Sequence, residues 1–121
     1  MSFFNGNSTK IEKIQHIVHA AKSKTIEEFK DRSRLELYQN YKKCFLKNYD
    51  ELINQQNNLT DDTKKLLREV GDSFSHETLL YIMDLTDSKG TPAELDKHFK
   101  MLNKTIKTIS LNYLEDEYNK N

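Results

Sequence analysis

The sequence predicts an all-α fold, an antiparallel bundle of four to five helices with a long C-terminal helix. Only three glycines and one proline interrupt its 121 residues, which favours helices over a sheet fold rich in turns. The run Thr91-Pro92-Ala93-Glu94 is a helix start, with threonine as N-cap, proline at the first helical position and glutamate three residues after the cap. Apolar residues then recur at steps of three and four, the spacing of one helix face: Leu95, Phe99, Leu102, Ile106, Ile109 and Tyr113.

The first helix is predicted to begin at Ser8 or Thr9, where Thr9 and Glu12 have the spacing of a capping box. We expect residues 1–7 to form a flexible N-terminus and residues 8–121 to form a single helical domain. The apolar face of this helix consists of Ile11, Ile14, Val18 and Ala21.

The next segment repeats the capping-box spacing at Thr25 and Glu28, so the chain either starts a second helix there or continues with a bend at residues 23–25. Charged and polar residues at 30–34 interrupt the apolar pattern and predict a kink or an exposed turn. Five amide side chains at residues 54–58 end this long helix, because they compete for backbone hydrogen bonds. Its apolar stripe contains Phe29, Leu37, Tyr38, Tyr41, Cys44, Phe45, Tyr49, Leu52 and Ile53.

Two shorter helices are predicted before the C-terminal one. The third starts near Thr60, followed by two aspartates that suit a helix N-terminus, and ends at Gly71. Ser73 or Ser75 is expected to cap the fourth, and residues 86–90 form the turn that follows it. The fourth helix is predicted to be central and buried because of its apolar residues Leu79, Leu80, Ile82, Met83 and Leu85.

Composition narrows the class of protein. Lysine plus arginine equals aspartate plus glutamate, so the chain lacks the basic excess of a general nucleic-acid binder. Its single cysteine, Cys44, excludes an intramolecular disulfide and a thiolate metal cluster from one chain. Neither a secretory signal nor a membrane span is apparent, and we expect a cytoplasmic protein.

No motif for catalysis, a cofactor or a metal ion is evident. Glu12, His16 and His19 project from one helix face and form a weak candidate metal site, which we interpret as exposed polar residues. Cys44 lies on the apolar stripe, where burial makes a thiol inert, and no glycine-rich turn holds a nucleophile. We therefore predict that the chain is not an enzyme and binds no cofactor.

The tyrosines of the second helix leave three interpretations open. Tyrosines at helical spacing with lysines between them are typical of a core, of a protein interface or of a surface on which nucleic-acid bases stack. As candidate protein-interface residues the sequence offers Tyr38, Tyr41, Tyr49, Phe99 and Tyr113.

The C-terminal third resembles the helix-turn-helix half of MarR-like winged-helix repressors. The resemblance lies in residues 79–85, in Gly90-Thr91-Pro92-Ala93-Glu94-Leu95, in residues 103–109 and in Asn112-Tyr113-Leu114-Glu115. It implies a turn at residues 100–103 followed by a recognition helix. The residues that would then face DNA are Lys100, Lys104, Thr105, Lys107, Thr108 and Asn112.

A small helical chain without a catalytic motif most often acts through its surfaces. We expect a regulatory protein that binds another protein, of the inhibitor, immunity, antitoxin, adaptor or chaperone type, or that forms a homodimer through the C-terminal stripe. The alternative is a DNA-binding helix-turn-helix regulator. The many lysines and asparagines are typical of an A+T-rich gene, which suggests a bacterial or phage origin.

Overall fold

The computed structural model describes the backbone of residues 2–119 and the side chains of residues 10–112. Within that backbone the chain forms five helices and no strand, which confirms the predicted all-α bundle with its long C-terminal helix. The helices are α1 (Ser2–Glu28), α2 (Arg34–Asn54), α3 (Asp61–Glu69), α4 (Gly71–Asp87) and α5 (Pro92–Asn119).

The predicted start of the first helix is wrong, because α1 begins at Ser2. It also continues without a break past Thr25, so the second capping-box spacing does not start a helix. The Thr25 hydroxyl is buried and donates to the Ala21 carbonyl over 2.7 Å, a bond within the helix itself. The side chains of residues 2–9 lie outside the described part, and the flexibility expected of residues 1–7 stays a prediction.

Three helix starts follow from local sequence. The Ser33 hydroxyl accepts from the Glu36 N–H over 3.2 Å and begins α2, after a turn at the predicted interruption of residues 30–34. Thr60 accepts from the Thr63 N–H over 3.1 Å and begins α3 in the same way. Thr91 accepts from the Glu94 N–H over 3.3 Å at the start of α5.

The start of α4 differs from the prediction, because the helix begins at Gly71 and no side chain caps it. A Cβ atom at Gly71 would lie 3.0 Å from Leu46 Cδ2 and 3.2 Å from Tyr49 Cε2. Glycine therefore lets the first turn of α4 approach α2 closely, which is a requirement of packing rather than of local sequence. The expectation of a buried α4 holds only in part, since Ile82 is buried whereas Leu80 and Met83 are exposed.

The core is built on α2, which packs against α1, α3 and α4. The rings of Tyr41, Phe45 and Tyr49 stack along it with centroid distances of 5.7 Å and 5.6 Å. The Tyr41 hydroxyl donates to Thr78 Oγ1 over 2.8 Å, so the buried phenol has a polar partner on α4.

The last helix is continuous. No break occurs between Pro92 and Asn119, so the turn expected at residues 100–103 from the helix-turn-helix resemblance is wrong. Leu102 and Ile106 are buried against the rest of the bundle, and α5 packs on both α1 and α4. Among the described residues, no helix combines the length and the apolar character that crossing a membrane requires.

Candidate protein-binding surface

Exposed apolar side chains are concentrated on α4 and α5. Seven large apolar side chains in the described part of the chain are exposed, and five of them belong to these two helices: Leu80, Met83, Leu95, Phe99 and Met101. Leu95 and Phe99 lie on the same helix face as the buried Leu102 and Ile106, but 41% and 42% of their surfaces are exposed. The apolar stripe of α5 thus extends beyond the part that the bundle covers.

A groove runs between α4 and α5 on the outside of the bundle. Its apolar lining comes from Leu80 and Tyr81 of α4 and from Met101 and Leu102 of α5, and its volume is about 140 Å³. Leu80 and Met101 are 41% and 57% exposed, so the groove is open to a binding partner. Methionine suits such a surface, because its flexible thioether adapts to different partners.

The polar lining of the groove is acidic. Glu77 and Asp84 contribute carboxylates from α4, while His98 and Thr105 come from α5, and no lysine or arginine lines the groove. Neither carboxylate forms an ion pair within the described part of the chain. The groove therefore combines an apolar floor with two carboxylates that have no ion-pair partner in the described part of the chain, although Asp84 also lines an adjoining hollow with Lys89 and Lys97.

A polar cluster joins α1, α4 and α5 beside this surface. His19 Nε2 lies 2.6 Å from Asn103 Oδ1, and His19 Nδ1 lies 3.3 Å from the Lys22 ammonium. An ammonium group only donates, so Nδ1 accepts and the imidazole proton sits on Nε2, where it donates to Asn103. The ammonium also lies 4.8 Å from the centroid of the Tyr81 ring, a cation–π contact.

Burial governs the ionisation of this cluster. It lowers the pKa of His19, an effect that the bond to Asn103 partly opposes, and the charge of Lys22 lowers it further. Burial also lowers the pKa of Lys22 and raises the pKa of Tyr81. Both basic groups are therefore held in places that disfavour their charged forms.

The same cluster fixes an exposed aromatic ring. Phe99 stacks on His19 with ring centroids 5.0 Å apart, although 42% of Phe99 is exposed. A ring that is exposed but already oriented loses little conformational freedom when a partner covers it. Phe99 therefore presents an oriented aromatic ring on the surface of α5.

The α2 tyrosines predicted as interface residues do not belong to this exposed surface of α4 and α5. Tyr41 and Tyr49 are buried in the core with 0% and 2% exposure, so their assignment to an interface is wrong and the core interpretation is correct. Tyr38 is half-buried, with its hydroxyl 3.4 Å from Thr86 Oγ1. The side chain of Tyr113 lies outside the described residues.

Sequence reasoning missed the groove. Leu80 belongs to the apolar run that predicts a buried α4, and Met101 lies off the apolar stripe of α5. Neither residue therefore stands out in the sequence as a surface contact. Glu77 and Asp84 are seven residues apart on α4, which places them two turns apart on one side, but only the position of α5 makes them line one groove.

The candidate metal ligands do not meet. Glu12 and His16 are exposed, whereas His19 faces α5 and is bonded to Asn103 and Lys22. The described residues contain no group of three side chains placed to hold a metal ion.

The candidate DNA-facing residues all lie on one continuous helix. Lys100 pairs with Asp96 over 2.9 Å, and the hydroxyls of Thr105 and Thr108 donate to carbonyls of their own helix. Lys104, Lys107 and Asn112 are exposed. This outward face of α5 is basic, and no turn separates it from the helix start at Pro92.

Comparison with protein-family models, with curated proteins and with solved structures finds no match to this chain. The resemblance to MarR-like repressors stays a prediction from the sequence.

Proposed function

We propose that the chain is a small regulatory protein that acts by binding another protein through the exposed apolar surface of α4 and α5. The observation that carries this proposal is the concentration of five exposed large apolar residues on these two helices. Protein–protein interfaces are built around apolar and aromatic side chains surrounded by polar ones, and methionine is among the residues enriched there. The oriented Phe99 ring and the two methionines, Met83 and Met101, fit that composition.

The biological role proposed is that of an inhibitor, immunity protein, antitoxin, adaptor or chaperone that works without catalysis. A bacterial or phage origin is proposed from the many lysines and asparagines. A cytoplasmic setting is proposed because the chain's one cysteine provides no intramolecular disulfide.

The test compares partner capture by two matched surface variants. Leu80→Ser with Met101→Ser removes two apolar contacts of the groove, whereas Leu35→Ser removes a still more exposed leucine from α2. We expect quantitative mass spectrometry to find proteins that wild type and Leu35→Ser retain and that the double variant loses. Identical retention by all three chains, with unchanged circular dichroism, would contradict the proposal.

DNA binding is the alternative, and the basic outward face of α5 is the observation that favours it. It predicts that duplex DNA binds with an affinity that falls steeply as salt rises, and that Lys104→Ala with Lys107→Ala abolishes this binding. The continuous α5 weighs against it, because the turn that the resemblance implies at residues 100–103 is absent.

A further inference from the structure

The shape and the charge of the groove between α4 and α5 indicate which kind of protein segment would bind there. We infer that its occupant is a basic amphipathic helix of another protein, with apolar residues on one face and lysine or arginine beside them. This inference rests on the proposed function, since it specifies the partner of the same surface.

The shape argument comes from the two helices that form the groove. A valley between neighbouring helices accepts a third helix, whose apolar side chains at helical spacing fill it. Leu80 on one side and Met101 on the other are exposed and face the groove, and Leu102 lies buried beside them. They provide the apolar contacts for such a helix.

The charge argument comes from Glu77 and Asp84. Both line the groove, neither is paired in the described part of the chain, and no lysine or arginine lies among the lining residues. Covering them with an apolar or acidic partner would bury uncompensated charge, which is costly. A partner that carries positive charge compensates both carboxylates.

The spacing of the carboxylates adds a geometric condition. Seven residues of helix separate them by about 10 Å along α4, the distance between positions i and i+7 of a partner helix that lies alongside. Basic residues two turns apart on that helix match both carboxylates. The same negative charges repel the phosphates of a nucleic acid, so this groove is distinct from the basic outward face of α5.

The test uses designed peptides of known charge. The probe is a peptide of about 18 residues, five turns of helix, with leucines at positions i, i+3, i+4 and i+7 and lysines elsewhere. Its control has glutamate in place of every lysine. Affinities for the labelled peptides are measured by fluorescence anisotropy at low and at physiological ionic strength.

Wild type is expected to bind the lysine peptide at least about tenfold more tightly than the glutamate peptide, with a preference that shrinks as salt rises. Glu77→Gln with Asp84→Asn should remove most of this preference. Asp61→Asn with Asp62→Asn removes the same charge from the start of α3 and should leave the preference intact.

The results separate a failure of this inference from a failure of the proposed function. Equal affinity for the two peptides, or a preference that Glu77→Gln with Asp84→Asn does not alter, overturns the inference. If Leu80→Ser with Met101→Ser still weakens binding of both peptides, the apolar surface stands and only the charge assignment falls. If that variant binds both peptides as wild type does, the groove is not a docking surface and both proposals fall.

Self-association is a further outcome. If the mass of wild type rises with concentration and Glu77→Gln with Asp84→Asn abolishes the rise, the occupant is a second copy of the chain and the inference is overturned.

Discussion

His19 and Lys22 together link three helices. His19 accepts from Lys22 on its own helix, donates to Asn103 of α5 and supports the Phe99 ring, while Lys22 reaches Tyr81 of α4. All of these contacts suit a neutral imidazole, because a proton on Nδ1 would remove the acceptor for Lys22 and place two positive charges together. The protonation state of His19 therefore bears on both stability and the surface at Phe99.

This arrangement predicts a pH dependence of stability. Burial lowers the pKa of His19 in the folded state below its ordinary value of 6.5, so the unfolded chain takes up the proton first. The contribution of neutral His19 is fully present above that value, and it is lost as the pH falls from 6.5 toward the folded-state pKa. Between about pH 8 and about pH 5.5, Tm should fall more steeply in wild type than in His19→Gln.

The control for this prediction is His76→Gln, which alters an exposed histidine on α4 that is not part of the cluster. Its Tm should follow the wild-type pH profile. Parallel profiles for wild type and His19→Gln would show that the cluster does not titrate with folding.

At the scale of the element, α5 has a start that nearby residues determine and a middle that is held in the core by packing. Thr91 and Glu94 form the predicted N-terminal hydrogen bond, and the Glu94 carboxylate also accepts from the Lys89 N–H over 2.9 Å. Residues 100–103 contain no glycine or proline, so nothing local interrupts the helix, and Leu102 anchors it in the core.

A proline at Met101 tests this continuity. Proline removes a hydrogen bond inside the helix and clashes with the preceding turn, so Met101→Pro should lower the free energy of unfolding by about 3 kcal/mol or more. Met101→Ala changes the same exposed side chain without breaking the helix and should cost less than about 0.5 kcal/mol. Urea unfolding followed by circular dichroism measures both, and tolerance of proline would indicate a turn at these residues.

At the scale of the whole molecule, the first and last helices share one core. Ile14 and Val18 of α1, the aromatic stack of α2 and Ile106 of α5 belong to a single buried cluster. The single domain stays a prediction, and we expect it because all five helices contribute residues to this cluster.

Cooperative unfolding is the corresponding prediction. Ile106 is fully buried, so Ile106→Ala should cost about 2–5 kcal/mol and lower the midpoint of unfolding for the entire chain. Ile26 is 38% exposed, and Ile26→Ala should shift the midpoint much less. Far-ultraviolet dichroism and the near-ultraviolet signal of the buried tyrosines should give the same midpoint, whereas separate transitions would argue against one domain.

Sequence and structure agree where the controlling interactions are local. Thr60 and Thr91 begin their helices as predicted, through bonds to N–H groups three residues away, and the apolar period of α5 is visible without any partner. These features depend on short-range interactions, so the sequence alone determined the all-α class and the starts of α3 and α5.

The tertiary structure decided which parts of each apolar stripe are covered. Leu95 and Phe99 share a face and a period with Leu102 and Ile106, yet only the latter pair is buried. Tyr41 has the same helical spacing as an interface tyrosine and lies in the core, while Gly71 occupies a place where a Cβ atom would come within 3.0 Å of Leu46 on α2. The candidate groove was also decided by tertiary packing, because Glu77 and Asp84 line one groove with Met101 only when α4 and α5 pack together. Periodicity is a property of one helix, whereas burial depends on which neighbours reach it, and that contact is set by packing between residues far apart in the chain.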